Sequence, residues 1–394
     1  MNRAKKILLF DTIIDGHHAD YLTHLINYWV RNQLAGELIV ITQQSFQPCF
    51  QDLISQQPGA ENVRFVPISP ADIEAVHGAS MLTRSFKEWN LVIKYIHQYQ
   101  PTHALLMYFD IFQLATWLGR SAPCPISGIY FRPDFHYKLN PGFKARLNGF
   151  RKKVTLKGVL RQRSLANVFC LDHSAVEGLR QLSPAVKIWP LADPVASYEI
   201  TPAEVAQLRA DLHIKPNRQI LLLFGHLDER KGIEPLLEAV KEMPNEQQNA
   251  LCLVLAGPIQ PDFREQIERE LAEVGAQVQL VRVFREIKGR EIQVFFELAD
   301  YALALYQRHV GMASVVVRAA VSGKPLLASD YGYLGHLVQA EQLGAVADTT
   351  SPAAIRALLE RVLTEKIPYS VANLQKLAAR NSDVYFAETI FNHL

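Results

Sequence analysis

The stretch ILLLFGHLDERKGIEPLLEAV, residues 220–240, decides how the chain folds. An unbroken apolar run ends at Gly225, a polar loop carries Lys231-Gly232, and Ile233, Leu236, Leu237 and Val240 then recur at helical spacing. A short apolar run without alternation is the mark of a strand covered on both faces, as in parallel sheets flanked by helices. A strand feeding a helix through such a loop is one step of a right-handed crossover. A cation and a glycine at a helix start also suit an anionic ligand, because free backbone N–H groups and the helix dipole favour negative charge there. A lysine on a solvated loop is the competing reading.

The same alternation continues in both directions. Downstream, NALCLVLAG, VQLVRVF, YALALY, KPLLASD and GAVAD read as further strands, separated by PDFREQIERELAEVG, EIQVFFELA, ASVVVRAAVSG, LGHLVQAEQ and finally SPAAIRALLERVL as helices. Upstream, KILLFDTII, ELIVIT, VRFVPI, HALLMYF, PISGIYF, NVFCLD and VKIWPL are strands, with HADYLTHLINYWVRNQL, ADIEAVHGASMLTRSFKEWNLVIKYIHQY and SAVEGLRQL helical between them. The pattern pauses at LADPVASYEITPAEV, bracketed by Pro194 and Pro202. The expectation is an α/β chain of two doubly wound, Rossmann-like domains, 1–196 and 197–378, with a helix at 379–394 crossing back to the first. Domains of this kind, face to face, enclose a cleft lined by the carboxyl ends of their strands, and ligands are expected there.

Bulk properties agree with a soluble enzyme-sized protein. A chain of 394 residues exceeds one ordinary core, and 49% hydrophobic with 20% charged residues is a globular balance. Cys49, Cys124, Cys170 and Cys252 show no metal-binding spacing, so no metal is expected and a reducing compartment fits. In MNRAKKILLFD, Asp11 interrupts what a signal peptide would need to be apolar, and no run approaches the roughly 18 apolar residues that span a bilayer. A cytoplasmic protein is expected, with any membrane contact peripheral, at the inner face.

Charge is unevenly spread despite a net value of only +2. No acidic residue falls between Phe135 and Leu171, whereas Lys138, Lys144, Arg146, Arg151, Lys152, Lys153, Lys157, Arg161 and Arg163 all do. Within residues 143–165, Phe143, Leu147, Phe150 and Val154 recur every three to four positions among these cations. Two readings stand: an amphipathic helix resting on anionic lipid, or a core-facing helix with a solvated basic side. No nucleic-acid motif accompanies the patch, and no nucleic-acid partner is expected.

The order LVLAGP, Asp300 before YALALY, AAVSGKPLLASDYGYLGHLV and GAVAD resembles the second domain of GT-B glycosyltransferases, specifically the retaining family 4. The resemblance runs over about residues 218–365; KILLFDTIIDGHHADYL and VFCLDHSAVEGL resemble the first domain in outline. It implies a glycosyltransferase moving a sugar, a hexose with retention, from a nucleotide-sugar donor to an unknown acceptor without metal or other cofactor. No Asp-x-Asp triplet occurs, which removes the simplest metal-dependent alternative. By the resemblance, Lys231 neutralises the donor diphosphate and Gly311 with the following helix start supplies N–H donors. His226 stands where the family commonly has arginine, Arg285 lies where the base is read, and Gly16 with His17 approaches acceptor or phosphate. Each of these is also compatible with a plain turn or cap role.

Three departures bear on activity. The family typically carries two glutamates eight positions apart; alignment on Gly323-Lys324-Pro325 puts Val310 and Arg318 at those places. Val310 removes a carboxylate beside the transferred sugar, and Arg318 exchanges a ribose acceptor for a donor suited to phosphate or carboxylate. An ion pair of Arg318 with Asp330, Asp228 or Glu229 is the alternative. The histidine that the family often presents after the strand PISGIYF is missing, leaving Asp134 and His136 as catalytic candidates. The function read from the chain is sugar transfer, with a lipid-linked or cell-envelope acceptor suited to the cationic face. The rival is a catalytically inactive GT-B relative acting as a binding or scaffold protein, and a further enzyme reading uses a different phosphorylated donor.

Overall fold

A computed structural model describes residues 5–15, 17–55, 57–131, 133, 143–183, 185–309 and 311–394, with the backbone alone at 17, 81–82, 143–150 and 174. The chain divides into two compact units, one of residues 1–194 with Asp383–Leu394, the other Val195–Ser382.

The first unit is built on a seven-stranded parallel sheet. Its strands are β1 (Lys6–Phe10), β2 (Glu37–Gln43), β3 (Val63–Ile68), β4 (His103–Leu106), β5 (Ile126–Tyr130), β6 (Leu165–Cys170) and β7 (Lys187–Pro190), in the order β3-β2-β1-β4-β5-β6-β7. The second unit carries a six-stranded parallel sheet of β8 (Gln219–Phe224), β9 (Leu251–Ala256), β10 (Gln279–Val283), β11 (Tyr301–Ala304), β12 (Leu326–Ser329) and β13 (Gly344–Ala347), in the order β10-β9-β8-β11-β12-β13. Both sheets are doubly wound, as in GT-B proteins.

Strand composition explains the layering. Successive side chains alternate across a sheet, so Leu8 and Phe10 enter one core layer while Ile7 and Leu9 enter the opposite one. Ile220, Leu222 and Phe224 are likewise separated from Leu221 and Leu223. Each such side chain, fully buried, contributes roughly 1.5–3 kcal/mol. A sheet buried on both faces therefore demands the unbroken apolar runs seen in the sequence.

Several elements differ from their sequence reading. The segment 71–99 is not one helix but two, Pro70–His77 and Met81–Tyr99, broken at Gly78 and restarted by Ser80, whose hydroxyl caps the second. HALLMYF is a strand only to Leu106, and a helix, Phe109–Leu118, begins within it. That helix buries Phe109, Phe112, Ala115 and Thr116, and its apolar residues are too evenly spread for a helical period to stand out. The helix expected at 379–394 starts only at Asp383 and runs to Phe391; residues 379–380 instead end a preceding helix, Val371–Arg380, and the two are parted at the buried Asn381. The Asn381 carbonyl accepts from the Val195 amide at 2.9 Å, so the outgoing and returning chain meet at one point of the second unit. Beyond it, Phe386 and Phe391 pack on Tyr21 and Trp29 of the first unit.

Candidate functional site

In an open parallel sheet the connections leave in opposite senses where the strand order reverses, which leaves a crevice at the carboxyl ends of the two central strands. In the second unit those strands are β8 and β11. Lys231 lies on the loop after β8; Tyr306, His309 and Gly311 follow β11. The Lys231 ammonium donates to the Phe224 carbonyl at 2.7 Å and to the Tyr306 hydroxyl at 2.8 Å, with Nζ 4.6 Å from the Tyr306 ring centroid. Two of its three N–H donors are thus spent on holding it between the loops.

Glycines clear the floor of this crevice. Gly225 has φ +106°, and a Cβ there would stand 3.1 Å from Lys231 Nζ. Gly232 has φ +69°, and a Cβ would meet the Leu305 carbonyl oxygen at 2.3 Å, so the loops after β8 and β11 touch backbone to backbone. The Gln307 amide donates to the Arg230 carbonyl at 2.8 Å, and Gln307 Nε2 donates to the Thr349 carbonyl at 2.8 Å. Thr349 Oγ1, itself buried, donates to the Tyr306 carbonyl at 3.1 Å and lies 3.0 Å from Ser329 Oγ, whose hydroxyl is free to donate in return. Loops from four strands are in this way locked around Tyr306.

From Lys231 the contacts run on without a gap. The Tyr306 and His309 rings are 5.0 Å apart, His309 Nε2 lies 3.1 Å from the Met312 carbonyl oxygen, and a Cβ on Gly311 would be 3.8 Å from the same nitrogen. The helix Ser314–Val321 starts just beyond. A relay of side-chain contacts through Tyr306 and His309 thus links Lys231 to the segment that carries Gly311. Arg308 between them is exposed at φ +49°, a left-handed conformation uncommon for a side chain of its kind.

Other positions singled out by sequence fall differently. His226 is exposed at the start of the β8 loop. Arg285 follows β10, an edge strand two positions from β8, and its guanidinium is engaged by the Glu291 carboxylate, which also raises the arginine's already high pKa. Arg318 is half-buried on the helix Ser314–Val321, between buried Val317 and Ala319, and is partnered within the fold. Asp228, one carboxylate considered for it, is taken by Arg230 at 2.6 Å. Gly16, Asp134, His136 and Val310 lie outside the described residues, as does the side chain of His17, which opens the helix His17–Arg31.

The first unit has a switch point of its own, between β1 and β4. Asp11, at the end of β1 and 2% exposed, accepts from the Ile13 amide at 2.9 Å and lies 2.7 Å from His18 Nδ1. Burial pushes the Asp11 carboxyl up, and His18 pulls it back down. Neither residue was expected from sequence: Asp11 reads as a strand terminator, and His18 is hidden in the pair His17-His18. Tyr306 was missed similarly, as the last letter of the strand YALALY.

The basic helix spans Phe143–Val159. Leu156 and Val159 face inward, whereas Val154, expected on the same apolar stripe as Phe150, is 41% exposed among exposed Arg151, Lys152, Lys153 and Lys157. The Phe143, Leu147 and Phe150 side chains lie outside the described residues. Among the described residues no cluster of three or more His, Cys, Asp or Glu side chains could hold a metal ion, and no helix is long and apolar enough to cross a membrane.

Comparison with known proteins bears on this geometry. Residues 204–381, most of the second unit, match the family model of glycosyl transferases group 1. The chain is 26% identical over 196 residues to lipopolysaccharide 1,2-N-acetylglucosaminetransferase of Salmonella typhimurium, an alignment covering 49% of this chain and 51% of that protein. It spans about half the length of this curated relative. Among solved structures, HepE of Anabaena in complex with UDP is similar over 98% of both chains, with a TM-score of 0.67 and 14% identity. Sucrose-phosphate synthase of Thermosynechococcus elongatus is similar over 98% of both, with a TM-score of 0.68 and 17% identity. These structural likenesses establish a shared GT-B fold.

Proposed function

We propose that the chain is a glycosyltransferase that takes a sugar, a hexose, from a nucleoside-diphosphate donor bound by its second unit and transfers it to a hydroxyl of a cell-envelope acceptor. The observation that carries this reading is Lys231, whose ammonium is pinned between the Phe224 carbonyl and the Tyr306 hydroxyl above a glycine floor at the β8/β11 switch point. A fixed cation beside backbone that an anion can approach stabilises charge where it develops, on the departing diphosphate. The family match over residues 204–381 and the likeness to a lipopolysaccharide 1,2-N-acetylglucosaminetransferase support the same reading.

In this reading the reaction needs no resident metal, because Lys231 and the amides near Gly311 meet the diphosphate charge. Retention of anomeric configuration follows only from the resemblance to family 4. The protein acts on the cytoplasmic side, and the basic helix Phe143–Val159 brings it to an anionic membrane surface. Arg318 in place of the ribose-binding carboxylate favours a second reading, a GT-B relative that binds without transferring.

The test is calorimetric titration with UDP-, GDP- and ADP-sugars, followed by transfer assays with truncated lipopolysaccharide. Binding of one nucleotide class, weakened at least tenfold by Lys231→Ala, together with transfer, is expected. Binding without transfer selects the scaffold, and no binding across the panel overturns both readings.

A further inference from the structure

The outer edge of the first sheet carries a cavity of about 610 Å³, within the size range of small-molecule sites. It is lined by β2, β3 and the helix Gln47–Ile54. Glu37 and Val63 open β2 and β3, and β3 ends the sheet two strands from β1. The cavity therefore belongs wholly to the first unit and stands apart from the switch point between β1 and β4. Two periodicities build it. Gln47, Phe50, Gln51 and Ile54 fall at i, i+3, i+4 and i+7 and share one face of their helix, while Val63 and Phe65 alternate onto one face of β3. The inner wall is apolar: half-buried Phe65 rests on Phe50, 5% exposed, with ring centroids 5.2 Å apart, and Ile54 and Val63 extend the surface.

Planar polar groups form the rim. Gln47 is held by the Gln44 amide, and Glu61 Oε2 accepts from the Gly59 amide at 3.0 Å. Among the described residues nothing is bonded to the exposed side-chain amides of Gln51 and Asn62, so each offers an NH₂ donor and a carbonyl acceptor to the cavity. The charges are matched. Arg64 Nε lies 3.6 Å from Glu37, which Lys6 also holds from beside the cavity at 3.0 Å. With Glu37 and Glu61 set against Arg64 and Lys6, neither an anion nor a cation finds an excess of opposite charge. A neutral ligand disturbs none of these pairs. Groups that both donate and accept suit hydroxyls, which do the same, and an aromatic face suits the C–H face of a pyranose ring.

We propose that this cavity binds a neutral saccharide unit, stacked on Phe65 and hydrogen-bonded through its hydroxyls to Gln51 and Asn62. That the saccharide is part of the acceptor glycan rests on the glycosyltransferase reading; the binding itself rests on the cavity alone. As an acceptor site it takes no part in making or breaking bonds. It tethers the glycan to the first unit and so raises the effective concentration of its acceptor end. Contacts of this kind are equal before and during the reaction, so they lower the acceptor KM and leave kcat alone.

Two measurements on the full chain test this. The first is calorimetry with the neutral trisaccharides maltotriose and N-acetylated chitotriose, beside trigalacturonic acid and the deacetylated glucosamine trimer as anionic and cationic counterparts. Binding of a neutral trisaccharide is expected, weakened about tenfold or more when Gln51→Ala and Asn62→Ala are combined. Both positions are exposed, so the double variant keeps its melting temperature. Lys231→Ala, which alters the second unit, leaves this binding unchanged. No binding of either neutral trisaccharide, binding indifferent to the double change, or tighter binding of a charged trimer overturns the proposal. The second measurement is transfer to truncated lipopolysaccharide. The double variant should raise the acceptor KM about threefold or more, with kcat and donor KM held within about twofold. An unchanged acceptor KM overturns the acceptor role. Failure of the parent protein to use any sugar nucleotide removes the glycosyltransferase reading instead, and calorimetry then decides by itself whether the cavity holds a saccharide.

Discussion

Gly257 comes so close to Gly225 that a Cβ on the former would lie 2.0 Å from the carbonyl oxygen of the latter. Gly257 has φ +139° and Gly225 φ +106°, so neither conformation suits a side chain, and the contact joins the loops after β8 and β9 directly beneath Lys231. Gly257→Ala must therefore move the loop that carries the lysine. A loss of about 2 kcal/mol or more is expected in urea unfolding, together with weakened donor binding. A stable Gly257→Ala protein that binds as before would show that the two loops are not coupled.

The Tyr306 hydroxyl supplies position and no charge. Tyr306→Phe removes the 2.8 Å hydrogen bond to Lys231 Nζ but keeps the ring beneath the ammonium. A net contribution of about 1 kcal/mol per hydrogen bond predicts donor affinity lowered about three- to tenfold. Lys231→Ala, which removes the cation, should cost distinctly more. Calorimetry of both variants with one nucleotide sugar measures the ranking, and equal losses would mean that the lysine acts only through its tether.

How far the sequence could be read depended on how local each signal is. Strands were visible because burial on both faces forces a continuous apolar run, as in Leu221–Phe224, and Lys231-Gly232 was visible because loop chemistry is local. Phe109–Leu118 was not, since a helix buried broadly loses its period. The support of Lys231 was invisible because Tyr306 is 75 residues away and meets it only through the crossover that sets β11 beside β8. Asp11 and His18 are close in sequence, yet the imidazole is oriented by Tyr108 and Phe131, which only the sheet order brings near.

His103 provides a pH signature of the first unit. It is buried with Nε2 2.8 Å from Ser127 Oγ, and burial holds its pKa down at about 4 against an ordinary 6.5, with the charge of Lys5 acting in the same sense. The unfolded chain then binds a proton that the folded chain refuses. Stability from this source is complete above about pH 6.5 and falls as the pH drops towards 4, by about 2 kcal/mol at pH 5. Urea midpoints at pH 7.5 and pH 5 should separate more for the native chain than for His103→Gln, and equal separation would place the acid sensitivity elsewhere.

The basic helix makes the last prediction. Arg151, Lys153 and Lys157 are exposed around Val154, itself 41% exposed, and Leu118 on the neighbouring helix is 59% exposed. Cations ringing exposed apolar side chains match an anionic bilayer surface, where each contributes about 1 kcal/mol near the headgroups. Sedimentation with phosphatidylglycerol vesicles should retain the chain, whereas phosphatidylcholine vesicles should not. Raising salt from about 50 to 500 mM should release it, because the Debye length shrinks to a few ångströms. Replacing Arg151, Lys153 and Lys157 together by Glu should abolish retention while leaving nucleotide-sugar binding by the second unit unchanged. Retention that is indifferent to lipid charge and to these substitutions would reduce the patch to a solvated face of the first unit.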